Sequence, residues 1–157
     1  MSEQLAIEWG DLDFKNRFVV IRCATIRGEV GPTKSGRERK VPMTATLEQA
    51  LKRHRHLRSQ RVFCDADGKP MEDWILIDRL HVVCKRAGLR RIRWHELRHS
   101  FASQLMMAGA PLRQVQEWLG HSTITMTMRY SHLAPGGNSA LISALDRPPI
   151  SEKLANG

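Results

Sequence analysis

The chain has 157 residues, 41% of them apolar and 26% charged, which is the balance of a folded domain with a sizeable core and not of a disordered polymer. Twenty-five Lys and Arg against sixteen Asp and Glu leave a formal charge of +9, a surplus that points to a polyanionic partner, most simply nucleic acid. No stretch approaches the roughly 20 apolar residues of a membrane span, and "MSEQLAIEWGDLD" has neither the basic start nor the apolar run of a secretory signal. The expectation is a protein that is neither secreted nor membrane-spanning.

In chain order, "SEQLAIEW" reads as the tail of a helix, with Leu5, Ile7 and Trp9 as its apolar positions. "RFVVIRCATI" is rich in β-branched residues and reads as a strand, and "RERKVPM" as a second strand after the Gly and Pro punctuation of "RGEVGPTKSG". The two predict a hairpin with a long basic loop. "TLEQALKRHRHLR" predicts a basic amphipathic helix, "RVFCDADGKPM" a short strand with a "DADG" turn, and "EDWILIDRLHVVCKRAG" a helix closed by Gly88. Cys23, Cys64 and Cys84 lack the close spacing of zinc or redox motifs and predict reduced, mostly buried thiols. The histidines of "HRH" at 54–56 have no partners at metal-ligand spacing and read as a solvated helix face. No metal is expected.

In "WHELRHSFASQLMMAGA", Leu97, Phe101, Leu105 and Ala108 recur at helical spacing as an apolar stripe, with Gly109 as the stop and His95 and Arg98 side by side on its flank. "PLRQVQEWLG" follows as a helix with Leu112, Val115, Trp118 and Leu119 on one face and Gly120 as its cap. His121 therefore falls just after a helix end. "TITMTMRY" alternates polar and apolar residues, which by period alone says strand, whereas Ser122 as an N-cap says helix. It ends on Tyr130, the one tyrosine in the chain.

"HELRHSFASQLMMAG" followed by "VQEWLGHSTITMTMRYSH" resembles the catalytic domain of the tyrosine recombinases, or phage-type integrases. That signature is a His-x-x-Arg pair on a helix, a Leu-Gly-His turn roughly twenty residues on, and a tyrosine nine residues after that histidine. Here the pieces are His95 with Arg98, His121 and Tyr130. "RGEVGPTKSGRERKVPM" resembles the family's β-hairpin, whose turn carries a lysine matching Lys34. The resemblance extends to about His132 and implies an α+β, mostly helical catalytic fold with a small antiparallel sheet, spanning 1–146 and followed by a disordered tail at 147–157. It also implies that "TITMTMRY" is helical.

The chemistry implied is cleavage and rejoining of DNA without a cofactor, through a 3′-phosphotyrosine that conserves the phosphodiester energy. Breaking a phosphodiester this way requires a nucleophile, an acid for the leaving group and cations around the phosphorane. By resemblance, Tyr130 is the nucleophile and His95 assists its proton transfer. Arg98 holds a non-bridging oxygen through its fork of donors, His121 donates a further hydrogen bond, and Lys34 protonates the departing 5′-oxygen. The DNA-binding residues are Arg37, Arg39, Lys40, Arg91 and Arg93. The partners are double-stranded DNA and further recombinase subunits in a tetramer on DNA, docked through a helix at "NSALISAL". The free form is expected to be a monomer or weak oligomer in a bacterial or phage-infected cytoplasm, near the nucleoid.

One departure matters. The family's first catalytic arginine precedes a glutamate by three residues on a helix ahead of the hairpin. Glu3 matches that glutamate, so the arginine position falls one residue before Met1. The helical domain that clamps the other face of the DNA has no counterpart either. Loss of one preorganised donor costs roughly 10²- to 10³-fold in rate, so these residues alone are expected to be impaired. Two rival readings are a non-catalytic helix-turn-helix module in "PLRQVQEWLGHSTITMTMRY" and a topoisomerase with the same tyrosine chemistry.

Overall fold

The computed structural model describes residues 1–26, 29–33 and 36–136. Lys34, the predicted subunit-docking helix and the tail at 147–157 lie outside them.

The N-terminal half is built on antiparallel strands. Helix α1 (Ser2–Leu5) and a 3₁₀ turn at Trp9–Asp11 lead into β1 (Leu12–Asp13), β2 (Phe18–Ile21), β3 (Cys23–Ile26), β4 (Glu29–Pro32) and β5 (Arg39–Pro42). One sheet has the order β1-β2-β5, the other pairs β3 with β4, and every pairing is antiparallel. The predicted long strand is thus two strands that part at Arg22. There the Arg22 Nε meets the buried Asp11 carboxylate at 2.7 Å. Strand β4 falls within what reads in sequence as loop punctuation, and it extends the hairpin well beyond the β2-β5 ladder.

Alternation along β2 places Val19 and Ile21 inward, where they join Leu12, Met43 and Val62 in a first core. Helix α2 (Ala45–His54) starts at Thr44, whose hydroxyl accepts the Leu47 N–H at 3.2 Å. His54 is exposed, as expected of a solvated face, whereas His56 is half-buried. Both ring Nε2 atoms meet the Val62 carbonyl, at 2.9 and 3.2 Å, and the rings pack against Trp9. In place of the predicted strand at "RVFCDADGKPM" there are isolated bridges, Glu8 to Arg61 and Cys64 to Pro70. The "DADG" turn does form, with Asp65 Oδ1 accepting the N–H of Asp67 and of Lys69.

The C-terminal half is helical: α3 (Asp73–Arg86), α4 (Trp94–Met107), α5 (Leu112–Leu119) and α6 (Thr125–Met128). Its core gathers Ala102, Met106, Val115, Leu119 and Tyr130. Of the predicted α4 stripe, Leu105 packs against this core and the rest faces elsewhere. Leu97 and Phe101 are 40% and 39% exposed, and Ala108 is exposed. The inward face carries the smaller Ala102 and the flexible Met106. No helix among the described residues is long and apolar enough to cross a membrane.

Candidate active site

Helix α4 starts where it does because Glu96 folds back over its first turn. Its Oε2 accepts the Arg93 backbone N–H at 2.6 Å, and its Oε1 takes the Arg90 guanidinium at 2.9 Å. With Glu96 so engaged, Arg98 turns inward, and its Nη2 donates to the Leu119 carbonyl at the end of α5. The neighbouring Trp118 carbonyl accepts from Arg39 Nε at 3.1 Å. Two guanidiniums thus answer the negative end of α5, whose last carbonyls have no partners within the helix.

Arg39 is otherwise committed to Glu3. Its Nη1 and Nη2 fork the carboxylate at 2.9 and 2.6 Å, and its side chain is only 10% exposed. This arginine therefore ties α1, β5 and α5 together, and it is not an open phosphate contact in this structure. Burial pushes the Glu3 carboxyl up, but the Arg39 fork and the nearby Arg98 outweigh it and hold the group below its ordinary range. Burial, followed by the field of Arg39, lowers the Arg98 guanidinium, while Glu3 and Tyr130 act in the other direction.

The turn after α5 is where the motif's glycine is needed. Gly120 sits at φ +66, and a Cβ there would lie 2.8 Å from the Arg39 guanidinium carbon. The backbone then delivers His121, whose Nδ1 meets the Thr127 hydroxyl at 2.9 Å. Thr127 is fully buried. A Thr127 hydroxyl that donates to Nδ1 would leave the proton of the neutral imidazole on Nε2, where it could be given to an incoming oxygen.

Burial first, then the positive field of Arg98 and Arg129, pushes His121 down to about 4. Partial desolvation, followed by His99 and Arg98, also lowers His95. The sign follows directly. Between about 4 and the ordinary value of 6.5 the unfolded His121 binds protons that the folded one refuses, so stability rises with pH across that window and is lost as pH falls through it. Thermal melts should drop over this interval, and a His121→Gln variant should drop less steeply there.

Tyr130 follows α6, so "TITMTMRY" is helical over Thr125–Met128 where its alternation says strand. Its ring is 7% exposed in the second core, and its hydroxyl is hydrogen-bonded to Nδ1 of His99. The His99 ring centroid lies 5.8 Å from that of Tyr130 and 4.5 Å from that of His95, which meets it edge-on. His95, Arg98, His121 and Tyr130 therefore lie within one another's electrostatic reach, with His99 beside His95 and Tyr130 and with Arg129 close by. The imidazole in contact with the phenol is that of His99, one turn along α4 from the expected His95.

His99 and Thr127 are absent from the sequence-derived site. A signal for His99 was present, since it lies one turn after His95 on the same helix face. Thr127 gave none, because its role depends on the turn that places His121. Of the other expected DNA contacts, Arg37 lies with His121 on a cleft of about 430 Å³. Lys40 stands over the Phe18 ring at 4.9 Å, Arg91 donates to His81 at 3.0 Å, and the Arg93 side chain is 90% exposed. His95 and Arg98 line a second cleft of about 510 Å³, which also reaches Met1 and Glu3.

An α+β domain with a small antiparallel sheet beside helices is the fold of solved recombinases and transposon integrases. The chain belongs to the phage integrase family, which matches residues 1–136. It is similar to tyrosine recombinase XerC of Bifidobacterium longum, 30% identical over 85% of this chain and 39% of the relative. It is also similar to the integrase of Haemophilus phage HP1, 40% identical over 76% of this chain and 31% of the relative. The chain thus spans about 40% of the length of the XerC relative. Among solved structures, the catalytic domain of bacteriophage HP1 integrase superposes with TM-score 0.59 at 29% identity, covering 96% of this chain and 74% of that one. A Tn1549 transposon integrase, solved with a circular intermediate DNA, superposes with TM-score 0.74 at 24% identity over 94% of this chain and 54% of that one, which speaks for the fold alone.

Proposed function

We propose that this chain carries the catalytic site of a site-specific DNA recombinase, which cleaves and rejoins double-stranded DNA through a 3′-phosphotyrosine on Tyr130. The observation that carries the reading is the placement of the chain's single tyrosine hydroxyl inside a cluster of His95, Arg98, His99 and His121. A phenol is a poor nucleophile while protonated, and such a cluster supplies both a base and a positive field for the phosphorane. Arg98 and the Nε2 of His121 hold the non-bridging oxygens. Lys34 gives its proton to the 5′-oxygen, and Arg37, Lys40, Arg91 and Arg93 contact the backbone. Subunits join through residues 138–145. A reaction on genomic DNA belongs in the bacterial cytoplasm.

The burial of the Tyr130 ring favours a second reading, in which it is only a core aromatic of a DNA-binding module. The four residues of α6 argue against that module being a helix-turn-helix, because a recognition helix needs a longer groove-facing run.

Covalent trapping on nicked duplexes decides between them. Met1 lines the same cleft as His95 and Arg98, and an arginine placed three residues ahead of Glu3 would stand next to it. Extending the chain with a helical turn that carries this arginine should raise the yield of protein–DNA adduct above that of the 157 residues alone. An extended chain that forms no adduct on any duplex from a random-sequence pool would sink the recombinase reading.

A further inference from the structure

We infer that His99 is the base that takes the phenolic proton of Tyr130, an inference that rests on the recombinase reading of the same site. In the forward step the Tyr130 O–H bond breaks and its proton moves to Nδ1 of His99. The tyrosine oxygen bonds to phosphorus, the bond from phosphorus to the 5′-oxygen breaks, and that oxygen takes its proton from Lys34, the acid of the recombinase reading. In the reverse step the imidazolium returns its proton to the departing phenolate.

Three observations support this. The Tyr130 ring is held by Ala102, Met106, Val115 and Leu119 so that its hydroxyl meets His99 Nδ1. His95, one turn earlier on α4, meets the His99 ring at right angles, at 4.5 Å between centroids. Finally, His99 lines an open polar groove of about 550 Å³ with Arg90, Arg93, Glu96, Ser103 and Gln104, so a proton received there has a route to water. The groups around His99 are His95 and Arg98 on its own helix, Arg129 and Tyr130 after α6, His121 from the α5–α6 turn, and the Arg90, Arg93 and Glu96 side chains of the groove. Most of these are cationic or neutral, which favours a nearby phenolate.

The test uses the single tyrosine of the whole chain. Diisopropyl fluorophosphate serves as a small phosphoryl electrophile, and peptide mass mapping reports labelling at Tyr130. In His99→Asn the amide oxygen occupies the Nδ1 position, so it accepts the phenol's hydrogen bond but cannot carry its proton. Labelling should slow about 10²-fold near neutral pH and recover about tenfold per pH unit as hydroxide takes over, because a phenol without a base ionises only toward 10. His95→Gln should lack that steep profile. In His99→Ala, added imidazole entering the groove should restore labelling, following the fraction of neutral imidazole.

Wild-type rate and pH profile in His99→Asn would overturn the proposal, as would a His99→Ala variant indifferent to imidazole, and this second arm stands should the asparagine variant not fold. The outcome is separable from that of the recombinase reading. A Tyr130–DNA adduct alongside an unperturbed His99→Asn profile removes His99 and leaves the reading intact. The steep profile without any DNA adduct removes the reading and leaves an activated phenol.

Discussion

Replacing Tyr130 with Phe should abolish the protein–DNA adduct while leaving the fold almost unchanged. The phenylalanine ring keeps every apolar contact with Ala102, Met106, Val115 and Leu119, so no cavity opens. What is lost is the hydroxyl and its hydrogen bond to His99, a change of about 1 kcal/mol in a typical protein. The melting temperature should therefore shift by only a few degrees, and DNA affinity, set mainly by phosphate contacts, should stay the same at fixed salt. Denaturing gels of nicked-duplex reactions read the adduct, and melts and gel shifts read the rest. A core aromatic with no part in the chemistry would show the opposite pattern, with adduct retained by Phe because another side chain carries it. The two readings of a buried tyrosine thus separate on one atom.

The parts of this site that were legible in sequence are those whose chemistry depends on spacing along one element. His95 and Arg98 lie three apart on α4, and Gly120 ends α5 with a positive φ that fixes where His121 begins. The parts that were not legible depend on elements meeting. Arg39 reads as a basic hairpin residue bound for DNA, yet its donors go to Glu3 and to the Trp118 carbonyl, both distant in sequence. Thr127 belongs to an alternating run that resembles a strand, and its burial under His121 follows only once that run coils into α6. Strand β4 was hidden because Gly31 and Pro32 read as turn punctuation, whereas Cys23 pairs with Pro32 and Ala24 with Gly31 across the ladder. The misplaced part of the α4 stripe has the same root. Leu97 and Phe101 are the larger apolar residues, but the face toward α5 is the one whose Ala102 lets the helices approach and whose His99 reaches Tyr130.

Arg98→Lys should slow adduct formation by about 10³-fold, far more than it weakens DNA binding. The side chain is partly buried, and it links α4 to the Leu119 carbonyl while lying in the fields of Glu3, Arg39 and Tyr130. An arginine keeps its charge in such surroundings, whereas a lysine's ammonium is more readily neutralised by burial and presents no planar fork to two oxygens of a phosphorane. A donor that acts only as charge develops in the transition state is worth about 10²- to 10³-fold in rate. One phosphate contact, by comparison, changes the slope of log affinity against log salt by about one unit. Single-turnover adduct rates and a salt titration of binding, measured on the same variant, separate the two contributions. A rate loss no larger than the affinity loss would reduce Arg98 to a phosphate anchor, and the stabilisation of the phosphorane would then have to come from elsewhere in the cluster.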